Sequence, residues 1–207
     1  MRQERARQTR RALLHAAATE FDLRGYEGTS LARISRTAGV TLGALTFHFP
    51  SKAALADAVR SEGAALTGAA VPEAAGGGHR LDPGVGGLIE LLTRLLDEEP
   101  SVRAAARLSW EQPESAGNWH ATWRPELRDR LARERSAVPA DIAPVLDEVD
   151  LETLAHCLVA GSVALRRGIV PLGGAGPAAP EEVRRRLRRL WQHAAATNPN
   201  RPSAPNI

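Results

Sequence analysis

The chain has 207 residues, of which 43% are hydrophobic and 25% are charged, values typical of a folded protein with one or two domains. Its single cysteine, Cys157, excludes an intrachain disulfide, and no apolar run reaches the roughly 20 residues that a membrane span needs, so we expect a cytoplasmic protein with no membrane partner. The net charge of +3 is concentrated in residues 1–52, which hold nine basic and four acidic side chains, and such a segment favours a polyanion as partner.

Apolar residues recur mostly at intervals of three and four, which predicts an all-α protein. Acidic residues interrupt the first 25 positions, so we expect no secretory signal there. Gly25 ends the first helix and Gly39 the second, while Thr29 or Ser30 can cap the start of the second. In the N-terminal part, the predicted helices cover about residues 3–23, 30–38, 42–48 and 51–66.

Glycine and proline are frequent over residues 71–87, which predicts a linker or mobile loop. Beyond it, apolar periodicity predicts helices near residues 87–98, 101–112, 119–135, 150–167 and 180–196. Residues 197–207 hold three prolines and three asparagines, which is typical of a disordered tail. We therefore divide the chain into an N-terminal domain over 1–52, a helical C-terminal domain over 53–196 and the tail.

Two short helices joined by a tight glycine-containing turn form the pattern of a helix-turn-helix. Gly39 allows the backbone to reverse, and the small Ala38 allows the two helices to touch. The second helix of such a pair needs short side chains that can approach base edges. Thr41, Leu42, Gly43 and Thr46 meet that need. Any pair of short amphipathic helices gives a similar pattern, so ordinary core packing stays an alternative.

The run from Ala17 to Val59, AATEFDLRGYEGTSLARISRTAGVTLGALTFHFPSKAALADAV, strongly resembles the DNA-binding domain of TetR-family transcriptional regulators. Within that family, the sequence motifs FDLRGYEGTSL and GALTFHF are similar to those of the gamma-butyrolactone receptor-like regulators of actinomycetes. The resemblance implies a three-helix helix-turn-helix domain followed by a helical domain for ligand binding and dimerisation. It also implies a homodimer that binds a roughly palindromic operator in double-stranded DNA and releases it on binding a small hydrophobic ligand.

The resemblance assigns DNA-contacting roles to residues of the N-terminal domain. The third helix reads base edges, Lys52 matches the family's phosphate-binding lysine, and the segment Arg5–Arg11 forms an arm that reaches toward a minor groove. The full set comprises Arg5, Arg10, Thr29, Ser30, Thr41, Leu42, Gly43, Thr46, His48 and Lys52. Leu42 stands where the family often has a lysine, and Thr46 where it often has a tyrosine. These departures leave Leu42 to pack against a thymine methyl group.

The aromatic residues of this segment have two interpretations. Phe21, Tyr26, Phe47 and Phe49 are expected to fill the core of the three helices; the alternative is a platform for stacking single-stranded bases. His48 is either a residue at the edge of the core or a phosphate contact. The spacing of the histidines relative to Cys157 matches no metal site, and we expect neither a metal nor a cofactor.

Three tryptophans are candidates for the ligand pocket: Trp110, Trp119 and Trp123. In the gamma-butyrolactone receptor-like regulators a tryptophan of this region caps the ligand, and Trp119 in GNWHATW is the best match. Ordinary core packing is the alternative for each of them. The resemblance also maps a four-helix dimer interface to residues 150–167 and 180–196. The arginines of 181–189 are then solvated, and anion binding by them is the alternative.

No nucleophile elbow, zinc motif or dinucleotide fingerprint is found in the sequence, so we expect a regulator and not an enzyme. The ligand expected from the resemblance is a gamma-butyrolactone or similar signal. The pI of 9.9 favours the so-called pseudo-receptors of this group, which respond to antibiotics or biosynthetic intermediates. Two alternatives stay open: a multidrug-sensing repressor of an efflux gene and a DNA-compacting protein without a ligand switch.

Overall fold

The computed structural model describes residues 2–75, 84–115, 117–136, 147–166 and 179–195. All regular secondary structure in these ranges is helical, which confirms the predicted fold class. The helices are α1 (Arg2–Arg24), α2 (Leu31–Thr37), α3 (Leu42–His48), α4 (Lys52–Ala75), α5 (Val85–Glu98), α6 (Pro100–Glu111), α7 (His120–Ser136), α8 (Glu148–Arg166) and α9 (Pro180–Ala195). Within the described part of the chain, no helix is both long and apolar enough to cross a lipid bilayer. The predicted tail lies outside the described residues.

Side-chain caps fix the starts of the two short helices. Ser30 precedes α2, and its Oγ accepts a hydrogen bond from the N–H of Arg33 at 3.3 Å. Thr41 precedes α3, and its Oγ1 accepts one from the N–H of Ala44 at 3.1 Å. Because the first N–H groups of a helix have no partner within the helix, these caps define where each helix begins. Ser30 is the cap of α2, which settles the predicted choice between Thr29 and Ser30.

The structure corrects both ends of the predicted linker over residues 71–87. Helix α4 continues to Ala75 with Pro72 inside it, and Val71 is buried against the protein. Helix α5 begins at Val85, whose N–H donates to the carboxylate of Glu134 at 2.6 Å. Burial and this long-range cap outweigh the local preference of proline and glycine for loops. The middle of the predicted linker, residues 76–83, lies outside the described residues.

The contacts divide the described chain into two compact units. The first holds the residues up to Pro72 and those from Leu95 to Arg124. The second holds the described residues from 73 to 94 and from 125 onward. The predicted domain boundary after residue 52 stays a prediction. Helix α4 begins at that point and runs without interruption through the first unit.

Helix α6 packs along α1 inside the first unit, and the core there joins residues from both. Ala104 and Leu108 of α6 are fully buried with Leu13, Ala17 and Phe21 of α1. The core thus extends beyond the helices predicted for the N-terminal domain. Its buried members are Leu13, Leu14, Ala16, Ala17, Ala18, Phe21, Ile34, Leu45, Phe49, Leu55, Ala56, Val59, Ala104 and Leu108.

Helices α4 and α6 approach closely at Gly63. A Cβ atom at this position would lie 2.5 Å from the Ala105 Cβ and 2.5 Å from the Ser101 carbonyl oxygen. We expect Gly63→Ala to destabilise the protein by about 1–3 kcal/mol, because the backbone of α6 has to shift to admit the methyl group. The change in the free energy of unfolding can be measured by urea denaturation.

Gly68→Ala is the matched control in the same helix. A Cβ there lies 3.6 Å from the Thr122 Cγ2, an ordinary contact, so this variant should be stabilised by up to about 1 kcal/mol through helix propensity. Equal effects of the two substitutions would contradict the close contact at Gly63.

In the second unit, helix α8 packs against α9, and charged side chains connect the start of α5 with α7. Arg130 is 1% exposed; it pairs with Glu126 at 2.7 Å and donates to the Gly84 carbonyl at 3.0 Å. A buried guanidinium is tolerated because it is paired and hydrogen-bonded. These contacts hold the N-terminus of α5 on α7.

Candidate nucleic-acid interface

The turn between α2 and α3 depends on Gly39. Its φ of +67° lies in the left-handed region, where a residue without a Cβ pays little strain. The N–H of Gly39 donates to the Arg36 carbonyl at 3.1 Å, and that of Val40 donates to the Ser35 carbonyl at 3.0 Å. These bonds satisfy carbonyls at the end of α2 and close the helix. The predicted role of Gly39 as the turn residue is confirmed.

One side of the two short helices faces the core. Ile34 of α2 and Leu45 of α3 are fully buried, and Phe49 directly after α3 is 3% exposed. They pack in the same cluster as Leu13 and Phe21 of α1. The helix-turn-helix is therefore anchored on α1 by its apolar side, which leaves its other side to solvent.

The opposite side of α3 carries Leu42, Gly43, Thr46 and Phe47, all of them exposed. Residues at positions i, i+1, i+4 and i+5 share one face of a helix. Leu42 is 48% and Phe47 is 83% exposed, which are large fractions for such side chains. This solvent-facing surface of α3, called the reading face below, has no charged residue.

Phe47 contradicts the prediction that four aromatic residues fill the core. Phe21 and Phe49 are buried and Tyr26 packs against the cluster, as predicted, but Phe47 points to solvent. Leu45 is the residue that faces inward from α3. A position two residues later lies roughly 200° around the helix, which places Phe47 on the outer side. Phe47 is a candidate functional residue that the sequence interpretation missed.

Most of the predicted DNA-contacting residues are accessible. Of the predicted set, His48 and Lys52 are half-buried. The His48 ring contacts the Phe47 ring edge-on, with a centroid distance of 5.3 Å. The exposed ones are Arg5, Arg10, Ser30, Thr41, Leu42, Gly43 and Thr46.

Thr29 departs from its predicted role as a phosphate contact. Its side chain is 2% exposed, and its Oγ1 donates to the Glu20 carbonyl at 3.1 Å. Its N–H also donates, to the Tyr26 carbonyl at 3.3 Å. With both groups engaged inside the protein, Thr29 joins the end of α1 to the start of α2. The neighbouring Ser30 is exposed in its place.

Lys52 has a structural partner in the loop after α1. Its Nζ donates to the Tyr26 carbonyl at 3.0 Å and lies 4.2 Å from the centre of the Tyr26 ring. An ammonium group has three donors, so two of them are still available for a phosphate. The half-buried position thus allows Lys52 both to hold the loop and to contact an anion.

The predicted N-terminal arm is part of a helix. Helix α1 begins at Arg2, so Arg5 and Arg10 lie on its surface. The Arg10 guanidinium stacks over the ring of Phe49 at 4.9 Å, next to the end of α3. A helix is too wide for a minor groove of about 6 Å, so the helical conformation of this segment does not fit the predicted minor-groove contact.

The exposed charge around the helix-turn-helix is mainly positive. Of the four acidic residues before position 52, Glu20 and Asp22 are each 7% exposed. Glu20 pairs with Arg24 at 3.0 Å, and Asp22 pairs with Arg103 at 2.8 Å. The exposed arginines of the same segment are Arg5, Arg7, Arg10, Arg11, Arg24 and Arg36. Apart from Arg24, which pairs with Glu20, these arginines form the cationic surface that the sequence predicts.

Polar contacts join α6 to the end of α1. The Arg107 guanidinium donates to the Asp22 carbonyl at 2.7 Å, beside the ion pair of Asp22 with Arg103. The Glu111 carboxylate accepts the N–H of Tyr26 at 2.6 Å. Arg103, Arg107 and Glu111 are four positions apart along α6, which places them on one face of that helix. Their spacing was visible in the sequence, but nothing there named α1 as their partner.

The predicted ligand-pocket tryptophans form an aromatic cluster in the first unit. Trp119 and Trp123 are fully buried, with ring centroids 5.6 Å apart, whereas Trp110 is 44% exposed. The Trp119 Nε1–H donates to the Thr67 Oγ1 at 2.8 Å, and its backbone N–H donates to the Ser109 Oγ at 2.9 Å. Both the core and the pocket-wall interpretations fit this placement.

An apolar groove of about 500 Å³ lies on α8 and α9. Leu165, Leu187 and Leu190 line it together with the polar side chains of Arg186, Arg189 and His193. Leu190 is 56% exposed. Within the part of the chain that the structure describes, no cluster of histidine, cysteine or carboxylate side chains is arranged to hold a metal ion.

Residues 13–59 match the family model described as "Bacterial regulatory proteins, tetR family". The A-factor receptor protein of Streptomyces griseus is 51% identical over 61 residues, which are 30% of this chain. This match spans only 22% of that protein's length. The sequence match to this relative therefore covers less than a third of either protein.

Solved structures extend the similarity to most of the chain. A gamma-butyrolactone receptor (ArpA-like protein) is 30% identical and superposes with a TM-score of 0.61, covering 90% of this chain and 99% of the other. CprB of Streptomyces coelicolor, a TetR-family protein solved with its biological operator sequence, is 29% identical with a TM-score of 0.59. That alignment covers 92% of this chain and 98% of CprB.

Proposed function

Because the chain belongs to the TetR family and is a regulator similar to the gamma-butyrolactone receptors, we propose that it is a repressor that releases its operator when a small molecule binds. The observation that carries the proposal is the accessible reading face of α3. The buried Leu45 packs the opposite side of this helix into the core, and exposed arginines lie on the same N-terminal segment. A major groove admits one α-helix, and cationic side chains around it gain affinity by neutralising phosphates.

Each accessible residue then has a role in DNA binding. Thr41, Leu42, Gly43 and Thr46 contact base edges, and His48 lies at the end of the same helix. Phosphate contacts fall to Ser30, Lys52, Arg5 and Arg10, of which the first caps α2. Phosphate contacts position a protein on the duplex, whereas base contacts give specificity.

A palindromic operator requires two copies of the helix-turn-helix, and we assign the dimer contact to α8 and α9. The groove on these helices exposes the Leu190 side chain, which a second copy would cover. The arginines beside it would stay at the solvated rim, as is typical of interfaces with an apolar centre. CprB, which was solved with its biological operator sequence, supports operator DNA as the partner.

The ligand is proposed to be a gamma-butyrolactone-like signal, an antibiotic or a biosynthetic intermediate. The similarity to a gamma-butyrolactone receptor supports the first class, and the pI of 9.9 favours the other two. Trp119 and Trp123 provide large apolar surfaces for a pocket wall, with Trp110 at its exposed edge. Such a surface suits a ligand with an apolar body and few polar groups.

Footprinting on the DNA next to the protein's own gene tests this function. We expect the full chain to protect a discrete, roughly palindromic segment. The mass of the protein–DNA complex should correspond to a dimer or a pair of dimers on the duplex. An alkylated gamma-butyrolactone, or an antibiotic made by the same organism, should abolish the protection. Protection of any duplex, irrespective of sequence, would identify a DNA-compacting protein and contradict the repressor.

A further inference from the structure

The reading face has an unusual chemical composition for a surface that selects a DNA sequence. Leu42, Gly43, Thr46 and Phe47 include no arginine, lysine, asparagine, glutamine or acidic residue. Guanine is read mainly by arginine or lysine, adenine by asparagine or glutamine, and cytosine by a carboxylate. This face therefore lacks the side chains that make such hydrogen bonds to base edges.

The two hydroxyl groups nearby are already engaged in the helix. The Thr46 Oγ1–H donates to the Gly43 carbonyl at 3.1 Å, and the Thr41 Oγ1 accepts the N–H of Ala44 at 3.1 Å. Each hydroxyl keeps a further hydrogen-bonding function, but the larger part of what the face offers to a groove is apolar: the Leu42 side chain, the Phe47 ring and the Thr46 methyl group. Thymine is the base that presents an apolar group, its methyl, in the major groove.

We propose that Phe47, together with Leu42, determines operator specificity by packing against thymine methyl groups; this inference rests on the DNA-binding function proposed above. Phe47 is 83% exposed, so contact with methyl groups would remove its ring from water. The surrounding arginines, Arg10 and Arg36 among them, supply attraction to the backbone that a neutral face cannot provide.

Gly43 supports the same close contact by an independent observation. A Cβ at this position would meet no protein atom within 4 Å, so the protein's own packing does not require glycine there. Glycine inside a helix costs about 1 kcal/mol relative to alanine. Its place between Leu42 and Thr46 on the reading face brings the backbone of α3 near the bases, which lets short side chains reach methyl groups.

The test begins with selection of duplexes from a randomised library by the full-length protein. We expect a palindromic consensus with thymines in each half-site. In synthetic duplexes of that consensus, uracil then replaces one thymine at a time, which removes only the methyl group. Binding should weaken about fourfold per lost methyl contact, the equivalent of about 0.8 kcal/mol for a buried carbon.

Variants connect the methyl groups to particular side chains. Phe47→Ala should bind the thymine and uracil duplexes equally at one position of the half-site, and Leu42→Ala should do so at another. Leu23→Ala is the matched control, since Leu23 is 63% exposed in the same unit but lies at the end of α1. It should keep the full preference for thymine. Thermal melting of each variant checks that the fold is retained.

The outcomes separate this proposal from the function on which it rests. A discrete consensus whose uracil duplexes bind as tightly as the thymine ones would overturn methyl reading and leave the repressor intact. The same holds if the preference for thymine survives in both Phe47→Ala and Leu42→Ala. A selection that yields no consensus would overturn both proposals.

Discussion

Trp119→Ala is expected to destabilise the protein by about 3–5 kcal/mol, because it empties a fully buried site of indole size. The substitution also removes the hydrogen bond from the indole N–H to Thr67 and the ring contact with Trp123. A loss of this size lowers the melting temperature of a chain of this length by about 10 °C. Calorimetry measures it, and a variant that melts within 1–2 °C of the parent would contradict the buried placement.

Trp119→Phe is the sharper probe of the proposed ligand pocket. The benzyl ring keeps most of the packing volume and removes the N–H donor, so the loss of stability should stay near about 1–2 kcal/mol. If Trp119 contacts the ligand, this variant binds operator normally and needs more ligand for release. Unchanged release of the operator by Trp119→Phe would exclude a ligand contact by Trp119. Trp119→Ala cannot make this distinction, because it loses stability as well as the side chain.

Leu45→Ala and Leu42→Ala should separate the two sides of α3. Leu45 is fully buried, and its truncation is expected to cost about 2–5 kcal/mol of stability. Leu42 is 48% exposed, and its truncation should change stability by less than about 0.5 kcal/mol while weakening operator binding. Urea denaturation and a gel-shift titration measure the two effects. Similar stability losses in both variants would mean that α3 is rotated relative to the structure described above.

Local chemistry explains why the helix-turn-helix was predictable. Ser30 and Thr41 cap their helices through contacts three residues away, and Gly39 adopts the positive φ that its place in the turn requires. Such contacts are short in sequence, so residue types and spacing reveal them. Helix α3 was predicted with both of its ends correct for this reason.

Contacts between distant residues account for what the sequence interpretation missed. Thr29 was expected on the surface, but its hydroxyl bonds to Glu20 inside the protein. Val85 begins α5 because Glu134, far along the chain, accepts its N–H. Phe47 was placed in the core together with the other aromatic residues of the segment, although the helical period puts it opposite Leu45. The assignment of individual DNA and ligand contacts remains a prediction.

The two peptide groups of Tyr26 connect the loop after α1 to two other helices. Glu111 of α6 accepts the N–H, while Lys52 at the start of α4 donates to the C=O. Arg107 adds a third attachment at Asp22. A slide of α6 by one turn, about 5.4 Å, would break the bonds from both α6 residues at once. We therefore expect small displacements of α6 to move the end of α1 as well. Larger displacements require the hydrogen bonds from Arg107 and Glu111 to break first.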